Sequence, residues 1–161
     1  MSSYRIPFNR AGLTGKEVDH MLAAVRGGHI SGDGPFTRKC QAELEQITGA
    51  ARALLTTSCT HALEMAAMLL DLKPGDEVII PTFTFVSTAN AFVLRCAKPV
   101  FADIREDTLN LDEQQVETLI SSKTRAMVPV HYGGVACEMT RLLRIARRYR
   151  VHVVEDNAHG F

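Results

Sequence analysis

The sequence predicts an α/β fold built on a parallel sheet. Three observations carry that expectation. Short runs rich in Val, Ile and Leu recur along the chain without the polar–apolar alternation of a half-exposed strand, which suits strands covered on both faces. Segments with helical spacing of apolar residues separate those runs, so strand and helix alternate and right-handed crossovers follow. The residues just past each run turn polar, small or aromatic, as expected where a parallel sheet carries its ligand sites.

Taken in order, residues 14–26 and 37–47 read as two helices ahead of the sheet, joined by the glycine-rich loop 27–35. Loops of that kind are often functional. The strand runs are 53–55, 78–80, 99–102, 126–130 and 151–154. The helices between them are 60–70, 85–95, 112–120 and 138–149. The last of these places Leu142, Ile145, Ala146 and Tyr149 on one stripe and Arg141, Arg144 and Arg148 on another, an amphipathic pattern. Lys73-Pro74-Gly75-Asp76 is a tight turn leading into the second strand.

Composition sets the class. The chain has 161 residues, 46% hydrophobic and 22% charged, with 18 basic against 18 acidic side chains. That is enough for one domain with a real core. Zero net charge supplies no bulk attraction to nucleic acid or anionic lipid. The arginines 141, 144, 147, 148 and 150 read as a solvated helix face, since no nucleic-acid motif accompanies them. No run approaches the roughly 18 apolar residues of a membrane span, and residues 1–10 lack the apolar core of a signal peptide. Cys40, Cys59, Cys96 and Cys137 form no CxxC pair or zinc spacing. A reduced, cytoplasmic chain without a bound metal is expected.

The strand ends hold the candidate chemistry. Thr57-Ser58-Cys59-Thr60 follows a strand and opens a helix. Free backbone N–H groups and the helix dipole favour an anion there, and the same residues would equally serve as ordinary N-caps. Asp156 ends an apolar strand, where a carboxylate needs a cation or hydrogen-bond donors. A protonated ring nitrogen, a metal, a ribose and a simple cap all fit. Glu155 points to the opposite side and reads as structural. His131 and His159 could act as acid–base or ligand groups, or as satisfied structural histidines. Phe83 and Phe85 could offer a ring for stacking, or join the core. Gly32-Asp33-Gly34 is no dinucleotide fingerprint, because it follows no strand and no GxGxxG occurs.

In combination these pieces resemble the DegT/StrS sugar aminotransferases, within the fold-type I pyridoxal-phosphate enzymes. The resemblance runs in order through Gly32-Asp33-Gly34-Pro35-Phe36-Thr37, the segment from Thr57 to Met65, the turn from Lys73 to Ile79, the segment from Pro81 to Ala91, Pro129-Val130-His131-Tyr132-Gly133-Gly134 and Val154-Glu155-Asp156. It implies a three-layer sandwich with a mostly parallel sheet, as an incomplete large domain: arm and helices over 1–50, strand–helix repeats over 51–161. It implies pyridoxal 5'-phosphate as cofactor, a keto-sugar nucleotide of the dTDP-4-keto-6-deoxyhexose type as acceptor, glutamate as amino donor, and a homodimer when complete. By the same resemblance, Cys59 and Thr60 would hold the cofactor phosphate with Ser58 nearby. Phe85 would stack on the pyridine ring, Asp156 would pair with its protonated nitrogen, and His159 would hydrogen-bond its hydroxyl. Phe8 and the loop carrying Gly32, Asp33 and Phe36 would lie near substrate or the partner subunit.

The chain departs from the family pattern in one respect. The lysine that carries the cofactor in the family lies beyond the Asp156 motif. The lysines here are Lys16, Lys39, Lys73, Lys98 and Lys123, none at a strand end beside the expected pocket. The family's carboxyl-terminal small domain is absent as well. The resemblance also implies that two later strands separate run 53–55 from the rest of the sheet, so that run should lack neighbours. The expectation is an amino-terminal portion of an aminotransferase, inactive by itself: a truncated remnant or a cofactor-binding half.

Overall fold

The computed structural model describes residues 10–160. Phe8 lies outside them. The chain divides into two compact units, one ending at Leu55 and one starting at Thr56.

The first unit contains α1 (Glu17–Arg26) and α2 (Pro35–Thr48). Glu17 closes the start of α1, accepting hydrogen bonds from the Thr14 and Gly15 amides at 2.6 and 2.9 Å and from the Thr14 hydroxyl at 2.9 Å. Those donors hold its carboxyl down at about 2. Pro35 sits at the first position of α2, where its missing N–H costs nothing. Gly49 ends that helix in the left-handed conformation.

The second unit holds α3 (Cys59–Leu69), β1 (Glu77–Pro81), α4 (Val86–Val93), β2 (Lys98–Ala102), α5 (Glu113–Leu119), β3 (Thr124–Met127), a 3-10 turn at Tyr132–Gly134, α6 (Met139–Tyr149) and β4 (His152–Val153). The sheet order is β2-β1-β3-β4, and every pairing is parallel. Neighbours along each strand point to opposite faces, and the buried residues divide accordingly. Val78, Ile80, Ala126 and Val128 pack with Leu63 and Ala67 of α3 and Ala91 and Phe92 of α4. Ile79, Ala102 and Met127 pack with Val116 of α5 and Leu142, Ile145 and Ala146 of α6. The unit is thus a helix–sheet–helix sandwich; the apolar runs of the central strands β1 and β3 are buried on both faces, and those of the edge strands β2 and β4 are partly exposed.

Run 53–55 does not form the expected strand. The Ala53 amide donates to the Glu45 carboxylate at 3.0 Å, and Leu54 and Leu55 are 62% and 43% exposed. A strand exists only where a neighbour takes its backbone groups, and no strand of the described residues lies beside this run. The sheet therefore has four strands. β2 and β4 are the edges of the sheet, and β4 has only two residues.

The two rims of the sheet differ in chemistry. At the amino ends of the strands stand ion pairs: Arg125 with Asp76 at 3.0 Å, and Lys98 with Glu77 at 3.9 Å. Lys73, in the turn before β1, pairs with Asp71 at 2.7 Å, and Lys123 directly precedes β3. The carboxyl ends carry hydroxyls, aromatic rings, histidines and Asp156.

Candidate functional site

Asp156 follows β4 and extends the ladder past its end. Its amide donates to the Pro129 carbonyl at 2.9 Å, and its carbonyl accepts from the His131 amide at 3.1 Å. Its side chain is 4% exposed. Oδ2 accepts from the Thr88 hydroxyl at 2.7 Å, which is also linked to the Thr84 hydroxyl at 2.8 Å. Oδ1 accepts from the Ala158 amide at 3.2 Å and from the Cys59 thiol at 3.6 Å. The carboxylate is oriented by donors, yet no cation of the described residues pairs with it. A buried, fixed anion of this kind is suited to a cationic group from outside the chain.

The Cys59 contact brings the start of α3 to the carboxylate. Burial, together with the negative charge of Asp156, raises the Cys59 thiol above its ordinary value, so the sulfur stays protonated and donates. Ser58 is the N-cap, its hydroxyl accepting the His61 amide at 3.2 Å. The capping and anion-site readings coexist, because the Cys59 and Thr60 amides ahead of that bond have no partner within the helix. They can meet an anion at the positive end of the helix dipole.

Aromatic residues complete the rim. Phe85 caps α4 and is 71% exposed. Phe83 packs against Tyr132 with ring centroids 4.5 Å apart, and Tyr132 meets His159 edge-on at 5.2 Å. His159 Nδ1 accepts from the Gly133 amide at 3.1 Å. The structure therefore groups Ser58, Cys59, Thr60 and Asp156 directly, and sets Phe85 and His159 on the same rim of the sheet.

The remaining candidates have the following partners. His131 is buried, its Nδ1 accepting the Cys137 amide at 3.1 Å and its Nε2 meeting Glu155 at 3.0 Å. It links the β3 exit to Glu155 and to the Cys137 amide, as a satisfied structural histidine does. Burial pushes the Cys137 thiol beside it up to about 11. Asp103 turns back to accept its neighbour Ile104's amide at 2.8 Å. Gly32, Asp33 and Phe36 belong to the first unit, where the Arg38 guanidinium donates to the Asp33 carbonyl at 2.9 Å and the Phe36 ring meets His20 edge-on at 5.5 Å. No cluster of three metal-ligating side chains occurs among the described residues.

Two site residues escaped the sequence reading. Thr88 is fully buried inside an apolar helix, and its spacing of four from Thr84 was the one available signal. Asn110, 2% exposed between β2 and α5, gave none.

Residues 13–161 match the model of the DegT/DnrJ/EryC1/StrS aminotransferase family. The chain belongs to this family. Among curated proteins it is 38% identical over 155 residues to the spore coat polysaccharide biosynthesis protein SpsC of Bacillus subtilis, covering 96% of this chain and 40% of SpsC. It is 34% identical over 160 residues to the UDP-4-amino-4-deoxy-L-arabinose–oxoglutarate aminotransferase of Shewanella sediminis, covering 99% of this chain and 41% of that protein. The chain thus spans about two fifths of these relatives' length. Among solved structures, the PMP form of a putative sugar aminotransferase from Streptococcus pneumoniae superposes with a TM-score of 0.87 at 29% identity, over 98% of this chain and 43% of that one. DesV from S. venezuelae, solved in complex with a ketimine intermediate, gives 0.80 at 36% identity, over 89% and 39%. These likenesses agree with the α/β fold-type I architecture. No helix of the described residues is long and apolar enough to cross a membrane.

Proposed function

We propose that the chain is the amino-terminal portion of a pyridoxal-phosphate-dependent sugar aminotransferase. The whole protein would move an amino group from glutamate to a keto-sugar nucleotide of the dTDP-4-keto-6-deoxyhexose type. Surface-polysaccharide biosynthesis in the cytoplasm is the setting that suits it. The run Val135-Ala136-Cys137-Glu138-Met139, which resembles that of the dTDP-4-amino-4,6-dideoxygalactose transaminases, supports the choice of sugar. One observation carries the reading: a buried carboxylate, with no cation of the described residues beside it, lies 3.6 Å from the thiol that opens α3.

Each residue then has a task. Asp156 holds a proton on the pyridine nitrogen. The Cys59 and Thr60 amides, with Ser58 setting the helix start, bind the phosphate. Phe85 lies against the ring face, and His159 donates to the ring hydroxyl. When bound, pyridoxal phosphate supplies an electron sink for the carbanion of amino transfer. Phe8, Gly32, Asp33 and Phe36 would face substrate or the partner of a homodimer. Residues 1–161 together would form one partial large domain.

A second reading has its own support. Lys73, Lys98 and Lys123 stand at the strand rim opposite Asp156, so no amine of this unit reaches the site to form a covalent link. The chain alone would then be an inactive cofactor-binding half or remnant. Titrating pyridoxal phosphate into the purified chain, followed by borohydride reduction and peptide mapping, tests both readings. Reversible binding weakened by Asp156→Asn, with no single lysine labelled, is the expected result. Stoichiometric labelling of one lysine, Lys123 for example, would overturn the site assignment.

A further inference from the structure

We propose that Asn110 is a positioning residue, which fixes the ring of His159 through the turn Tyr132–Gly134 and so leaves Nε2–H as its outward donor. The inference rests on the aminotransferase reading only for what that donor meets.

The geometry runs from the core outward. The buried Asn110 side chain makes two bonds to a segment more than 20 residues away: Oδ1 accepts the Tyr132 amide at 3.0 Å, and Nδ2 donates to the Val135 carbonyl at 2.9 Å. A flipped amide would set like groups against each other, so only one orientation satisfies both. The two bonds bracket a turn whose Gly133 and Gly134 have φ of +61° and +82°, a conformation glycine adopts without strain but that its flexibility does not hold in place by itself. The turn presents the Gly133 amide to His159 Nδ1 at 3.1 Å and the Tyr132 ring to the imidazole edge at 5.2 Å. A Cβ on Gly134 would come within 3.2 Å of the His159 carbonyl, so turn and histidine fit only at close range. An imidazole nitrogen that accepts a hydrogen bond carries no proton. Neutral His159 must therefore be protonated on Nε2, the form able to donate to a ring hydroxyl.

Nitrogen-15 NMR of the chain without cofactor tests this. In the unmodified chain, His159 Nδ1 should appear as an unprotonated acceptor, with scalar coupling across the bond to the Gly133 amide. In Asn110→Ala that coupling should vanish. Gly133 amide exchange should rise roughly tenfold, the worth of one ordinary hydrogen bond. The amides of β1 and β3 should stay unchanged, and pyridoxal phosphate affinity should drop. Coupling that persists in Asn110→Ala would overturn the proposal. If that variant does not fold, Asn110→Asp keeps the acceptor for the Tyr132 amide and removes the donor to the Val135 carbonyl, and unchanged coupling with unchanged Gly133 exchange there is equally fatal. The two readings fail separately. A fixed His159 in a chain that binds no pyridoxal phosphate removes the cofactor-site reading alone. Bound pyridoxal phosphate beside a His159 free of Gly133 removes the positioning role alone.

Discussion

The Thr88 hydroxyl offers a direct measure of how strongly the fold depends on its candidate site. Thr88 is fully buried on α4 and donates to Asp156 Oδ2 at 2.7 Å. Thr88→Val keeps the shape and removes the donor. A hydrogen bond to a charged group contributes about 1.5–3 kcal/mol, and a buried acceptor left unpaired costs its desolvation. Thr84, half-buried, can turn to water when it loses the same hydroxyl, so its share is small. The extra methyl of Val offsets part of the loss, leaving about 2 kcal/mol. Thr88→Ser keeps the hydroxyl and loses one methyl, worth about 0.8 kcal/mol. Urea unfolding followed by far-UV circular dichroism should therefore rank wild type above Ser above Val, with unchanged m-values. A Val variant as stable as wild type, or more stable than Ser, would show that the methyl rather than the bond to Asp156 matters at this position.

Three further outcomes are expected. In the full-length enzyme, Asp156→Asn should abolish turnover while the circular dichroism spectrum stays native; near-normal rates would remove the ring-nitrogen role. Alkylation by iodoacetamide at pH 8 should leave Cys137 almost unlabelled, since a thiol at about 11 is on the order of one-thousandth ionised there. Cys59 should react slowly and the exposed Cys40 and Cys96 first, with the differences lost in urea and scored by mass spectrometry. Carbon-13 titration of Glu17 should give a midpoint near 2 that rises only slightly in Thr14→Ala, which removes the hydroxyl donor and leaves the Thr14 and Gly15 amides in place. Because the folded value is the lower one, the contribution of Glu17 to α1 is complete above about 4.5 and fades as pH falls toward 2; an unchanged midpoint in the variant would exclude the Thr14 hydroxyl as a contributor and leave the backbone amides as the cause.

What could be read in the sequence, and what could not, follows physical lines. Runs such as 78–80 announce themselves because a strand buried on both faces admits nothing polar. Asp156 stands out for the complementary reason, as a charge at the end of such a run. The start of α3 was legible because capping chemistry is local. Run 53–55 looked like the others, yet strand formation depends on neighbours that its own residues cannot report. Thr88 and Asn110 acquire meaning only from groups 68 and more than 20 residues away, Asp156 for the first and the Tyr132 turn for the second. In the sequence His131 stays open between an acid–base role and a structural one, and the structure favours the second. Its position suggested chemistry, but the Cys137 amide and Glu155 occupy both of its nitrogens.

The segregation of lysines to the strand beginnings has a practical side. Lys98 and Lys123 flank the starts of β2 and β3, a sheet's length from the aromatic rim. A fluorophore or a sensor-chip tether attached at either amine would keep the opposite mouth open to small molecules in solution. Immobilised chain and free chain should then report the same affinity for any ligand that enters there.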